Sequence, residues 1–332
     1  MSRPWIAAAL LCAAACGGHS TKPTPVPEAP QVACPADITV REVSGPAQSV
    51  PFDAPLVTGG AAPVNVSCSQ SSGTSFPLGT TAVNCTASDA QSRQATCAFN
   101  VTLKGFSLGV TKFDSIGDSF TAGENGRLSL IDLPNAYPTR LQAAFDSNYP
   151  GQGIAIINQG IGGEKAEGTA ERVRSVLSKD TPEVVLLLTG YNDLEPVCGP
   201  GRATTTACSR AIDDVGFGVR DCIRHTKESP VGVRFIFVST LTPPGPVERG
   251  APRDRRIASE AIVQANDQIR QRVASEGATL VDTYPLFIGH EAEYMDTDGF
   301  HLRPAGYQAL ADSFFAAIKT TIPQTALFSG LR

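Results

Sequence analysis

Histidine is scarce in this chain: four in 332 residues, with no H-E-x-x-H and no pair at helical spacing. A metal centre built on paired imidazoles is therefore not expected. No G-x-x-x-x-G-K phosphate loop is present either, so no cofactor is expected. Charged residues make up only 18%, the net charge is -5, and no block of basic residues stands out, which argues against a nucleic-acid partner. The cysteines show no C-x-x-C pair. No apolar run is long enough to span a bilayer. What is present is ordinary for a folded protein: 42% hydrophobic residues can build a sizeable core, and the length suggests two domains.

Arg3 precedes an apolar run from Trp5 to Ala15, the length of a signal-peptide core. Residues 1–15 are thus expected to direct export. The run ends in Ala13-Ala14-Ala15-Cys16-Gly17-Gly18, which resembles the lipobox of bacterial lipoproteins, with Ala13 where a leucine is usual. The resemblance implies acylation of Cys16 and anchoring to a membrane, each buried methylene contributing about 0.8 kcal/mol. The alternative is an ordinary signal peptide cut at the Ala-x-Ala site. The expected location is a bacterial cell envelope, as an outer-membrane or surface lipoprotein, otherwise periplasmic or secreted. Export places the remaining cysteines in an oxidising compartment, where the four between residues 34 and 97 read as two disulfides rather than a zinc site. Among Cys198, Cys208 and Cys222, a bridge from Cys198 to Cys208 across a Gly/Pro/Thr-rich loop is expected, with Cys222 buried and free, although spacing leaves the pairing open.

Residues 16–31 are mostly Gly, Ser, Thr and Pro and read as an extended tether. Residues 32–104 carry short alternating stretches such as Ile38-Thr39-Val40, Val64-Asn65-Val66, Thr81-Ala82-Val83-Asn84 and Phe99-Asn100-Val101-Thr102, separated by turns. They predict a small antiparallel sandwich. The segments Cys34-Pro35-Ala36-Asp37-Ile38, Phe76-Pro77-Leu78-Gly79-Thr80-Thr81, Cys85-Thr86-Ala87-Ser88-Asp89 and Cys97-Ala98-Phe99 resemble the immunoglobulin-like hyalin repeat (HYR) domain. The bridges expected there are Cys34 to Cys97 and Cys68 to Cys85. From residue 107 to 332 the pattern changes. Strand-like runs at 112–116, 154–157, 184–188, 234–239 and 279–282 alternate with helical stretches, as βαβ units around a parallel sheet do. Ala258, Ile262, Ala265, Ile269 and Val273 recur at helical spacing before Gly277, and a second helix runs from Pro304 through Leu310, Phe314 and Ile318 to a stop before Pro323. The expected architecture is a three-layer α/β/α domain with a five-stranded parallel sheet.

Four short pieces of this second part carry chemistry: Gly117-Asp118-Ser119-Phe120, Gly162-Gly163, Gly190-Tyr191-Asn192-Asp193 and Asp298-Gly299-Phe300-His301. A serine hydroxyl is a weak nucleophile until a base removes its proton. Of the four histidines only His301 is well placed for that work: His19 lies in the tether, His225 ends a predicted helix and His290 sits in a loop without a matching carboxylate. Asp298, three residues before His301, and Asp296, two residues earlier still, are both candidates to orient the imidazole.

Taken together the pieces resemble the SGNH, or GDSL, hydrolase family of esterases and acylhydrolases. The run Phe113-Asp114-Ser115-Ile116-Gly117-Asp118-Ser119-Phe120-Thr121-Ala122-Gly123 is similar to that family's first block. The resemblance implies a flavodoxin-like fold, a triad of Ser119, His301 and Asp298, and an oxyanion hole made by the N–H groups of Ser119 and Gly163 and the side chain of Asn192. Gly160 and Gly162 are alternatives for the glycine donor. Asp118 and Asp193 are expected to brace the loops. The implied activity is hydrolysis of carboxylic esters, whether small acyl esters, lipids or acylated polysaccharide, through an acyl-enzyme at Ser119. The rival readings are an envelope adhesion or carbohydrate-binding protein with an inactive hydrolase fold, and an acyltransferase. Loops 194–208 and 242–256 are expected to shape the substrate site.

Overall fold

The computed structural model describes residues 26–43, 45–126, 130–247 and 255–326. The segments expected to be a leader (1–15) and a tether, with Cys16, lie outside the described residues as far as residue 25, as do residues 248–254 of the second loop. Backbone proximity separates the chain into two compact units, and the α/β part lies within one of them.

The N-terminal part is all β. Gln31–Ala33 pairs antiparallel with Leu56–Thr58, and Ala47–Ser49 with Ser75–Pro77. A four-stranded sheet runs in the order Ile38–Val40, Gln94–Leu103, Gly79–Ser88, Asn65–Cys68. Its two long strands bury every second residue, Val83, Cys85 and Ala87 on one and Phe99, Val101 and Leu103 on the other, the period of a sheet with one covered face. The antiparallel expectation fails at one ladder, where Ile38–Val40 runs parallel to Val101–Leu103. Parallel neighbours need a long connection, and these two strands stand at opposite ends of the module, so the whole module supplies it. Disulfides join Cys34 to Cys97 and Cys68 to Cys85, the second pair directly opposite each other in a ladder. In a module this small, each such closure contributes about 2–4 kcal/mol that a limited core does not supply.

In the α/β part, strands β1 (Lys112–Gly117), β2 (Ala155–Gly160), β3 (Val184–Leu188), β4 (Phe235–Ser239) and β5 (Thr279–Val281) form one parallel sheet in the order β2-β1-β3-β4-β5. All five residues of β3 are buried, as expected of a central strand covered on both faces. The helices are α1 (Ser119–Ala122), α2 (Tyr137–Asn148), α3 (Ala166–Asp180), α4 (Tyr191–Leu194), α5 (Thr206–Lys227), α6 (Ser259–Glu276), α7 (Tyr284–Phe287), α8 (Glu291–Tyr294) and α9 (Pro304–Thr321). Phe113 of β1 meets Phe145 of α2 with ring centroids 5.0 Å apart, whereas Ile116 and Val185 cluster with Val173 and Leu177 of α3. Opposite faces of the sheet are thus covered by different helices, which makes the three layers. The apolar stripe of α6 is buried and Gly277 caps it in the left-handed conformation. Helix α9 begins with Pro304 in its first turn and is anchored by Tyr307, Leu310, Phe314 and Ile318. Cys198 and Cys208 form a third disulfide and Cys222 is free and buried. Among the described residues no helix is long and apolar enough to cross a membrane.

In this sheet one strand boundary differs by more than a single residue from the sequence expectation. Strand β2 continues past Ile157 to Gly160, because Asn158, Gln159 and Gly160 stay in register with Ser115, Ile116 and Gly117 of β1. These polar and glycine residues look like loop in isolation, but the parallel ladder holds them. The consequence is that Gly117, Gly160 and Leu188 end their strands at one level. The strand order reverses between β1 and β3, and in open α/β sheets the crevice for ligands opens at the carboxyl ends beside that reversal.

Candidate active site

The chain must turn sharply after β1, and two glycines make room for it. A Cβ on Gly117 would stand 1.9 Å from the carbonyl oxygen of Leu188, and one on Gly160 would stand 2.1 Å from the backbone nitrogen of Ala122. Only glycine lets α1 start this close to both neighbouring strands. Asp118 is the N-cap: its Oδ1 accepts the N–H of Phe120 at 3.1 Å. Ser119 is therefore the first residue of the helix rather than its cap, and its hydroxyl is not spent on the backbone.

The structure brings Ser119, His301 and Asp298 into one hydrogen-bonded chain. Ser119 Oγ lies 3.1 Å from His301 Nε2, and His301 Nδ1 lies 2.8 Å from Asp298 Oδ2. The second oxygen, Oδ1, accepts the N–H groups of Phe300 and His301, each at 3.0 Å. All three side chains are buried. Burial alone would raise the Asp298 carboxyl. The bonds and charge of His301, with the N–H groups of Phe300 and His301, outweigh it and hold the carboxyl below its ordinary value. Asp296 is engaged elsewhere, its Oδ2 accepting the N–H of Gly126 at 2.9 Å. His225 Nδ1 faces the carbonyl of Ala170, and His290 is exposed beside Glu293, so neither enters the site.

The three expected oxyanion donors follow β1, β2 and β3: Ser119 opens α1, Gly163 lies in the turn between β2 and α3, and Asn192 lies in α4. Among the described residues the N–H groups of Ser119 and Gly163 donate to no protein acceptor. Asn192 Nδ2 donates to the carbonyl of Glu164 at 3.0 Å, which occupies one of its two N–H bonds and fixes the amide against the neighbouring loop. Asp193 Oδ2 accepts the N–H of Ala166 at 3.0 Å at the start of α3. Burial pushes the Asp193 carboxyl up to about 6 and that of Asp118 to about 8. In Asp118 the Phe120 N–H opposes the shift and the charges of Asp193 and Glu164 add to it. Burial thus shifts Asp118 towards its neutral form, whereas Asp298, paired with His301, is shifted towards its ionised form.

Several supporting residues left no signal in the sequence pattern. Arg172 of α3 donates to Glu164 Oε1 at 2.7 Å and Oε2 at 2.8 Å, to the carbonyl of Gln159 at 2.7 Å and to that of Gly117 at 3.2 Å. One guanidinium therefore ties the ends of β1 and β2 to the residue that receives Asn192. Phe120 stacks on Tyr191 with centroids 3.7 Å apart, and Phe300 stands edge-on to both, which packs α1, α4 and the His301 turn into one apolar block. The Glu124 carboxylate lies 3.8 Å from His301 Nε2.

With this geometry in view, comparison with known proteins identifies both parts. Residues 115–309 match the family described as GDSL-like Lipase/Acylhydrolase, and residues 27–103 match the HYR domain. Among solved structures, a gut microbial diltiazem-metabolizing enzyme is similar at 18% identity and TM-score 0.53, over 65% of this chain and 48% of that one. An alpha/beta hydrolase enzyme from the metagenome of Lake Arreo, Spain, aligns at 23% identity and TM-score 0.49, over 64% of this chain and 97% of that one. An acetylxylan esterase from Geobacillus stearothermophilus aligns at 21% identity and TM-score 0.48, over 64% and 94%. The first of these shares the fold. A search of curated protein sequences returns no match.

Proposed function

Because the chain belongs to the GDSL-like lipase/acylhydrolase family, we propose that it hydrolyses carboxylic esters through an acyl-enzyme on Ser119. The observation that carries this reading is the hydrogen-bonded chain from Ser119 Oγ through His301 to Asp298. In the first half-reaction Oγ bonds to the acyl carbon while its proton passes to His301 Nε2. The resulting oxyanion takes hydrogen bonds from the N–H groups of Ser119 and Gly163 and from Asn192. The carbon–oxygen bond to the alcohol then breaks, and Nε2 returns the proton to the departing oxygen. Water enters by the same path: His301 takes its proton, its oxygen bonds to the acyl carbon, and Ser119 leaves with the proton restored. Asp298 stays ionised throughout, holding the Nδ1 proton and stabilising the imidazolium.

In this reading residues 107–332 carry the chemistry and residues 32–104 form a separate module, since the HYR part contains no histidine and its cysteines are bridged. Three disulfides support an oxidising compartment. With the leader and Cys16 they make an envelope lipoprotein the favoured location. The experiment that tests the activity is hydrolysis of p-nitrophenyl acetate by the mature chain and by Ser119→Ala and His301→Ala. Each substitution is expected to lower the rate by about a thousandfold or more while the fold persists. A rate within tenfold of the parent in either variant contradicts the reading.

A further inference from the structure

Glu124 has no part in the mechanism above, yet its side chain is at the centre of the site. It follows α1, five positions after Ser119, and its backbone is held from three directions. Its N–H donates to the Ser119 carbonyl at 3.0 Å, its carbonyl accepts the Tyr307 hydroxyl at 2.6 Å, and it bridges antiparallel to Ile131. The side chain is 17% exposed, with Oε1 3.8 Å from His301 Nε2. Oε2 rests against the oxyanion loop, 3.0 Å from where a Cβ on Gly162 would stand. The carboxylate therefore spans the gap between the catalytic base and the oxyanion hole.

The charges around it are otherwise matched. Asp298 is taken by His301, Glu164 by Arg172, and Arg255 by Glu195 while it lies over the Phe300 ring at 4.5 Å. Among the described residues no lysine or arginine pairs with Glu124. Ile131 and Ile161, on the segments flanking it, are 57% and 48% exposed and give the mouth apolar edges. Such edges weaken solvent screening of a charge between them.

The position also says which part of an ester the carboxylate meets. Nε2 must return its proton to the departing alcohol, so the leaving oxygen comes within about 3 Å of Nε2. A carboxylate oxygen 3.8 Å from the same nitrogen then lies no more than about 7 Å from the leaving oxygen. We propose that Glu124 is a specificity-determining residue that selects esters whose alcohol part carries a positive charge and rejects those whose alcohol part is anionic. This rests on the ester-hydrolysis reading and names its substrate class.

The test compares three acetates of similar size with the full mature chain at low ionic strength: acetylcholine, its uncharged isostere 3,3-dimethylbutyl acetate, and the acetate ester of 3-hydroxypropanoate. The expected kcat/KM falls in that order, with the cation favoured over the anion by on the order of a hundredfold. Added salt compresses the ratio. Glu124→Gln, which keeps the shape, is expected to bring the ratio below about fivefold, and Glu124→Lys to invert it. Because the readout is a ratio within one preparation, partial loss of folded protein does not move it. A parent enzyme that hydrolyses the neutral ester with no charge preference, or a Glu124→Gln variant that keeps the parent ratio, overturns the proposal and leaves the esterase reading standing. A parent that hydrolyses p-nitrophenyl acetate but none of the three overturns the proposal alone, and one that hydrolyses none of the four overturns both.

Discussion

The Arg172 guanidinium donates to the Gly117 carbonyl at 3.2 Å, reaching 55 positions back along the chain to the residue two before Ser119. The same group is a two-point partner of Glu164, whose carbonyl receives Asn192. The Ser119 turn and the loop carrying Gly163 and Glu164 are thus parts of one buried polar network rather than independent segments.

Removing one member of that network leaves the other charge stranded. Arg172→Met is expected to lower the unfolding free energy by about 3–5 kcal/mol, because Glu164 loses its partner in a largely buried place. Replacing both residues, Arg172→Met with Glu164→Met, is expected to cost less than the single change. Urea unfolding of the two variants decides it; a double variant less stable than the single one contradicts the account.

A second expectation concerns pH and stability. Asp114 is buried in β1 with neither carboxyl oxygen hydrogen-bonded, and burial, reinforced by Asp180, pushes it up to about 7 from an ordinary 3.8. A carboxyl raised on folding favours the native state below its unfolded value, and that contribution is lost as pH rises towards its folded value. For Asp114 the window runs from about pH 4 to 7, and for Asp118, raised to about 8, to one unit higher. Asp114→Asn carries no such charge. Its melting temperature is expected to gain roughly 5 °C or more on the parent between pH 5 and pH 8. Parallel curves for the two proteins across that range would remove Asp114 from the account.

The two acidic candidates beside His301 separate by the same logic. Asp298→Asn keeps the volume but no longer holds the Nδ1 proton, and is expected to lower kcat on p-nitrophenyl acetate by about a thousandfold or more. Asp296→Asn, whose parent carboxylate serves the loop at Gly126, is expected to lower it less than tenfold. Equal losses would mean that the triad is wrongly assigned.

Anchoring can be read directly. With the native leader in a Gram-negative host, metabolic fatty-acid labelling is expected to mark the parent and not Cys16→Ser. Label retained by that variant would place the lipid elsewhere, and an unlabelled parent would mean that no lipid is attached.

Much of this fold was legible from pattern alone. The run Val184 to Leu188 reads as a buried strand and is one, end to end, because a central parallel strand needs apolar side chains on both faces. The stripe of α6 and the proline that opens α9 are equally local signals. Strand β2 ran three residues past its apolar part because register with β1, a non-local cause, holds Asn158 to Gly160. In the site, Ser119, Asp298 and His301 stood out as residue types able to do acyl transfer. Residue type and spacing leave Asp298 and Asp296 both open, and the family resemblance favours Asp298; the turn geometry adds the physical reason, aiming one carboxylate at Nδ1 and the other at Gly126. Arg172 and Glu124 left no trace in the sequence, since what matters about each is a contact with a distant segment: Arg172 with Gly117, and Glu124 with His301, 177 positions later.

The central claim is that a covalent intermediate forms on Ser119, and intact-protein mass spectrometry after treatment with a fluorophosphonate tests it most directly. The account predicts one adduct per chain, mapped to the peptide containing Gly117-Asp118-Ser119, and none on Ser119→Ala or when His301 is replaced by alanine. An unmodified parent, or an adduct on any residue other than Ser119, would contradict it.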